Sequence, residues 1–216
     1  MNFKKGFTLI EMLVVISVLS VVGVMILTIF TRTLRGGNKS QIIETIKQNG
    51  QSVLENMDKT VRNADSVICP KVASPTSDTL VVIRDGAYTR FKFSPPTTSN
   101  NGKIQQDFPV QPATGDKSQI KTFLENNICT DPIGTDSTIS PQTLTDTNSQ
   151  TGVSVDCVAV NGTPNCATKP IFKRDKSAGF KDQVTIKFDI GHGVLAPAAV
   201  AGQIDPVSFQ TTINLR

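Results

Sequence analysis

Lys4–Val15 reads KKGFTLIEMLVV, and the fold turns on how its one acid is understood. From Phe7 to Phe30 the chain carries a single charge, Glu11, and a single glycine, Gly23. About 20 apolar residues in helical form cross a bilayer, so this run is long enough to span one. A carboxylate inside hydrocarbon is costly, so Glu11 needs a partner that offsets it. The run exceeds the apolar region of an ordinary secretory signal and no A-x-A-like site follows it, which argues against simple removal. Two readings remain open on this count: an uncleaved anchor with an incidental glutamate, and a segment processed at its start.

The junction favours the second. A short basic leader ends in Gly6, Phe7 follows, and Glu11 is the fifth residue of the apolar run. This arrangement resembles the class III signal of type IV prepilins and type II secretion pseudopilins. The resemblance implies that a membrane prepilin peptidase and methyltransferase cuts between Gly6 and Phe7 and methylates Phe7. The new cationic amine on Phe7 would lie four residues from Glu11, on the same helix face. An acid in the first turn also suits the positive end of the helix dipole. In the resembled family this glutamate attracts the amino terminus of a neighbouring subunit during assembly, a role carried here to Glu11 alone. Implied partners are other pilin or pseudopilin subunits, the inner-membrane assembly platform and membrane lipid. The implied location is the cytoplasmic membrane, single-pass with the C-terminal domain outside, then a periplasmic or cell-surface filament. Arg32, Arg35 and Lys39 after the run balance Lys4 and Lys5 before it, so charge alone does not set the orientation.

A second periodicity follows the first. Ile42, Ile46, Val53, Met57, Val61 and Ala64 recur at helical spacing, with Glu44, Lys47, Glu55, Lys59 and Arg62 on other faces. The stripe is read as core against a sheet. Gly36-Gly37 and Gly50 interrupt the pattern, and bending or local melting is expected at Gly36-Gly37. Residues 46–67, IKQNGQSVLENMDKTVRNADSV, resemble the rear helix of J-type pseudopilins and W-type minor pilins. Unlike many pilins, the chain has no proline in this first helix.

Beyond it the signals are β. Asp85-Gly86 sits between two β-rich runs as a two-residue hairpin. Val184, Ile186, Phe188 and Ile190 alternate on one face, as do Val207, Phe209, Thr211, Ile213 and Leu215. Ser94–Asn101 and Thr130–Gly152 read as loops, and residues 117–127 as a short helix. Residues 193–202 are apolar but too few to span a membrane, and read as a connection over the sheet. The expected fold is α+β: a long N-terminal helix, membrane-spanning in front and amphipathic behind, packed on an antiparallel β-sheet domain. The expected divisions are leader 1–6, membrane and assembly segment 7–30, rear helix 31–68, and extracytoplasmic domain 69–216.

Four cysteines, Cys69, Cys129, Cys157 and Cys166, all follow the membrane run, and an even number in an extracytoplasmic domain points to disulfides. Asn161-Gly162 is a type I′ hairpin signal, and a two-residue turn there sets Val160 opposite Thr163, Ala159 opposite Pro164, and Cys157 opposite Cys166. Cys157–Cys166 follows from that register, and Cys69–Cys129 by elimination. No Cys-x-x-Cys pair exists and His192 is the sole histidine, so neither zinc nor His-based catalysis is supported. Asp131, Asp136, Asp146 and Asp156 lack the spacing of a calcium loop. No phosphate-binding loop is present, and neither a cofactor nor an enzymatic activity is expected. The net charge is +4, and +2 once Lys4 and Lys5 leave with the leader. With one Tyr and no Trp, that makes nucleic-acid binding an unlikely use of the surface. The expected function is a minor pilin or pseudopilin subunit. The alternatives are a membrane-anchored binding module that does not polymerise, and a DNA-uptake minor pilin.

Overall fold

A computed structural model describes residues 8–74, 76–110, 127–135, 137, 139–160, 163–197, 202 and 204–215. Helix α1 (Leu9–Arg62) is followed by twelve strands. They are β1 (Ser66–Cys69), β2 (Thr76–Ser77), β3 (Thr79–Arg84), β4 (Ala87–Ser94), β5 (Lys103–Asp107), β6 (Gln142–Thr143), β7 (Val153–Asp156), β8 (Ala159–Val160), β9 (Thr163–Pro164), β10 (Phe172–Asp175), β11 (Gln183–His192) and β12 (Val207–Asn214). The layout is α+β and pilin-like: one long N-terminal helix, apolar in front, then antiparallel sheet. The chain divides into two compact units, residues 1–42 and 43–216.

In the first unit, the described residues are helical from Leu9 onward, and the large apolar side chains from Leu9 to Phe30 are exposed. The helix runs unbroken through Gly36-Gly37, so the local melting expected there is not seen. Two glycines cost up to about 1 kcal/mol each against alanine. Helix propagation from both sides adds a hydrogen bond per residue without a new nucleation cost, which offsets that loss.

In the second unit, Ile46, Val53, Met57, Val61 and Ala64 of the helical stripe are buried; Ile42, the last residue of the first unit, is only partly covered. Gly50 belongs to the same buried face. A Cβ there would run into the ring of Phe209, so this glycine permits close approach rather than marking a break. The helix ends on an exposed Arg62–Asp58 ion pair at 2.7 Å, with Ala64 N–H donating to the Val61 carbonyl at 3.1 Å.

Among the described residues, the β part is two five-stranded sheets, rather than one, and a separate two-stranded one. The first has the order β1-β3-β4-β5-β6. Its β3–β4 hairpin turns at Asp85 and Gly86, both with positive φ (49° and 80°), as the Asp-Gly pair requires. The second has the order β12-β11-β10-β2, with β7 also pairing β11. Val184, Ile186, Phe188 and Ile190 of β11 are fully buried, and Phe188 lies directly opposite Phe209 with ring centroids 5.7 Å apart. β8 and β9 form a separate hairpin with Ala159 opposite Pro164 and Val160 opposite Thr163. The expected helix at 117–127 lies outside the described residues except for Asn127. Within the stretch expected to be loop, Gln142–Thr143 forms a two-residue strand on β5.

Candidate functional site

The N-terminal segment is built from Thr8 upward. Thr8 precedes the first helical residue, and its backbone N–H donates to Glu11 Oε2 at 2.8 Å. Its hydroxyl donates to the same oxygen at 2.9 Å and accepts the Glu11 backbone N–H at 3.3 Å. This is a capping box: residue and acid three apart satisfy each other's orphan donors at the helix start. The Thr-x-x-Glu spacing that signals such a cap stands in the sequence at Thr8–Glu11. Both Thr8 donors go to Oε2, and Oε1 carries no hydrogen bond among the described residues.

Along the rest of the run every hydroxyl turns inward. Ser17 donates to the Val14 carbonyl, Ser20 to Ile16, Thr28 to Val24, Thr31 to Leu27 and Thr28, and Thr33 to Ile29, all between 2.8 and 3.0 Å. Backbone and side-chain polar groups are thereby satisfied within the helix, as a lipid environment demands. Leu9–Thr33 is long and apolar enough to cross a membrane. What it presents outward is an apolar surface with one carboxylate, Glu11, near its start and one cation, Arg32, near its end. Gly6 and Phe7 lie outside the described residues.

The other sequence-derived residues lie in the second unit. Cys69 and Cys129 are bonded, with Cα atoms 5.7 Å apart at a sequence separation of 60. Cys157 and Cys166 are bonded at a Cα separation of 5.1 Å. Asp156, Cys157 and Cys166 bring three potential metal donors within 4.8 Å. Both sulfurs are spent in the disulfide, however, so no thiolate is offered there. Asp156 stands directly opposite Asp189 across the β7–β11 pair. Its carboxyl is held above the usual range, first by desolvation and further by the Asp189 charge, against the lowering effect of the Cys157 N–H. His192 closes β11 and donates through Nδ1 to the neighbouring Gly193 carbonyl at 2.9 Å.

Sequence reasoning missed the ion pair that secures the Cys129 loop. Arg90 on β4 and Asp107 at the end of β5 are 1% and 0% exposed. They meet through two bonds, Nε to Oδ1 at 2.8 Å and Nη2 to Oδ2 at 2.5 Å. Arg90 also donates to the carbonyls of Ile128, Pro132 and Thr135, while Gly134 N–H donates to Asp107 Oδ2 at 2.6 Å. The pair thus satisfies the backbone of a loop that the Cys69–Cys129 bond also holds.

A lipid-length N-terminal helix with a capped acid, followed by a disulfide-bonded antiparallel domain, has a pilin-like layout and fits membrane anchoring. Residues 1–27 match the family described as the prokaryotic N-terminal methylation motif, which is the class III prepilin signal. No curated protein and no solved structure matches the chain. Over those residues the chain is similar to the N-terminal segment of type IV pilins and pseudopilins, which supports a pilin-like reading. The motif implies prepilin peptidase processing and other pilin subunits as partners, and a structural role rather than catalysis.

Proposed function

We propose that this chain is a minor pilin or minor pseudopilin, cut between Gly6 and Phe7, methylated on Phe7, and assembled through its N-terminal helix. The match of residues 1–27 to the methylation motif carries the reading. The minor assignment is supported by the long Ser-, Thr-, Asn- and Asp-rich stretch at Thr130–Gly152. On this reading residues 1–6 are the leader, 7–30 the membrane and assembly segment, 31–68 the rear helix, and 69–216 the extracytoplasmic domain.

Glu11 has two oxygens and two tasks. Oε2 caps its own helix through Thr8. Oε1 is left to accept the methylated amine of a neighbouring Phe7, and pairing the buried acid with that cation offsets the cost of keeping it in lipid. The apolar face then packs helix on helix with other subunits, on the inner-membrane assembly platform. A tip complex with other minor subunits would prime the filament.

Mass spectrometry of the mature protein tests this. The expected N-terminus is N-methyl-Phe7; an intact Met1 overturns the proposal and leaves a membrane-tethered binding module. Glu11→Leu is expected to enter the membrane normally but to be lost from filaments.

A further inference from the structure

Asp156, Cys157 and Cys166 bring a carboxylate oxygen and two sulfurs within 4.8 Å of one another. In the oxidised chain the sulfurs are bonded to each other and offer nothing to a cation. Reduction frees both sulfurs without removing the backbone that sets their positions. β8 and β9 pair Ala159 with Pro164 and Val160 with Thr163, a ladder that closes the hairpin inside the Cys157–Cys166 bridge. Asp156 is fixed separately. It ends β7 opposite Asp189 of β11, and its Oδ1 accepts the Cys157 N–H at 2.7 Å. Its Oδ2 has no hydrogen bond among the described residues.

Two thiolates and a carboxylate are the donor set of a tetrahedral Zn²⁺ whose fourth place is filled by water, and sulfur donors disfavour Mg²⁺ and Ca²⁺. Bonds of about 2.3 Å to sulfur and 2.0–2.2 Å to oxygen set such donors roughly 3.5–4 Å apart around the ion. The Cα atoms of Cys157 and Cys166 are 5.1 Å apart, so side-chain rotation opens their sulfurs to that spacing. Cys157 is 1% exposed, Asp156 is partly covered and Cys166 is exposed, which gives an ion its way in from the Cys166 side. Asp189 is occupied by the Ser208 hydroxyl at 2.5 Å and the Ala159 N–H at 3.1 Å. Its charge faces Asp156 across the strand pair, and a divalent cation between the sulfurs and Asp156 relieves that like-charge contact.

We propose that Asp156, Cys157 and Cys166 form a Zn²⁺ site in the reduced chain, so that metal and disulfide are alternative states of one hairpin. A dithiol reductant supplies the two electrons and two protons that turn the disulfide into two thiols, and itself becomes a disulfide. Zn²⁺ then takes the place of the two thiol protons, which pass to solvent. While the metal is bound, neither sulfur is free to re-form the bridge.

The full chain in detergent provides the test. Cys166 is exposed and Cys69 is fully buried, so limited dithiol treatment opens Cys157–Cys166 first, which alkylation and peptide mass mapping verify. After removal of the dithiol without oxygen, the chain is titrated with Co²⁺, a coloured stand-in, and then with Zn²⁺. One Co²⁺ per chain should bind with thiolate-to-cobalt charge-transfer absorption, Zn²⁺ should displace it and protect the thiols from reoxidation, and the oxidised chain should bind none. Asp156→Asn keeps both thiols and the Cys157 N–H acceptor, and should weaken Co²⁺ binding about 10-fold or more. Cys166→Ser should abolish the absorption. The inference is overturned if the reduced parent binds no Co²⁺, if the oxidised chain binds it equally well, if Cys166→Ser retains the absorption, or if Asp156→Asn binds as tightly as the parent.

Discussion

Arg90 takes a permanent charge out of water and is tolerated because Asp107 and three carbonyls receive its donors. Breaking such a pair from one side leaves the other charge stranded, which typically costs about 3–5 kcal/mol, whereas removing both can be nearly neutral. Arg90→Met should therefore lower unfolding free energy by about that amount in denaturant melts, and Arg90→Met with Asp107→Leu should recover most of the loss. Asp156 makes the opposite case, a carboxyl whose ionisation the fold resists. Its folded value lies above the ordinary aspartate value of 3.8, so the carboxylate binds a proton more tightly in the fold than in the unfolded chain. The stabilisation is therefore full at low pH and is lost as pH rises through the folded value. Asp156→Asn keeps an acceptor for the Cys157 N–H and removes the charge facing Asp189. Thermal melts across pH should find the variant more stable than the parent near neutrality, with the gap closing below about pH 3.8.

At the scale of elements, α1 and β12 meet where Gly50 leaves room for the Phe209 ring. Alanine at 50 gains up to about 1 kcal/mol of helix propensity, but overpacking a fitted contact costs about 1–3 kcal/mol. The second effect should win, because Phe209 is itself stacked on Phe188 and cannot retreat freely. Gly50→Ala should lower the melting temperature, and a smaller residue at Phe209 should restore part of it. The same position explains what the sequence concealed. The stripe from Ile46 to Ala64 is legible because each member is apolar, yet a glycine serving as a contact has no hydropathy to read. Strands β11 and β12 declared themselves by alternation over a single buried face. β4 was legible from its Asp85-Gly86 turn instead: Tyr88, Arg90, Phe91 and Phe93 are all buried, so both its faces are covered and alternation gives no guide.

For the whole molecule, the long helix, the antiparallel class and the two hairpin turns could be read locally, since each rests on residues within a few places of one another. The division into two sheets could not. It depends on β2 reaching β10 and β7 reaching β11, pairings between segments far apart in sequence. The Arg90–Asp107 clamp is hidden for the same reason, since a lone arginine in a β run reads as solvent-facing until its partner is placed. At the N-terminus the membrane run, Thr8 and Glu11 were all in plain view, though the cap joining the last two was recognised only from the geometry.

The inward-turned hydroxyls of Ser17, Ser20, Thr28, Thr31 and Thr33 have one more consequence. A rod smooth along most of its length can slip past a similar rod with little change in contact energy. Only the acid near its tip and Arg32 at its far end distinguish one stagger from the next, so vertical alignment between neighbours would rest on those two marks.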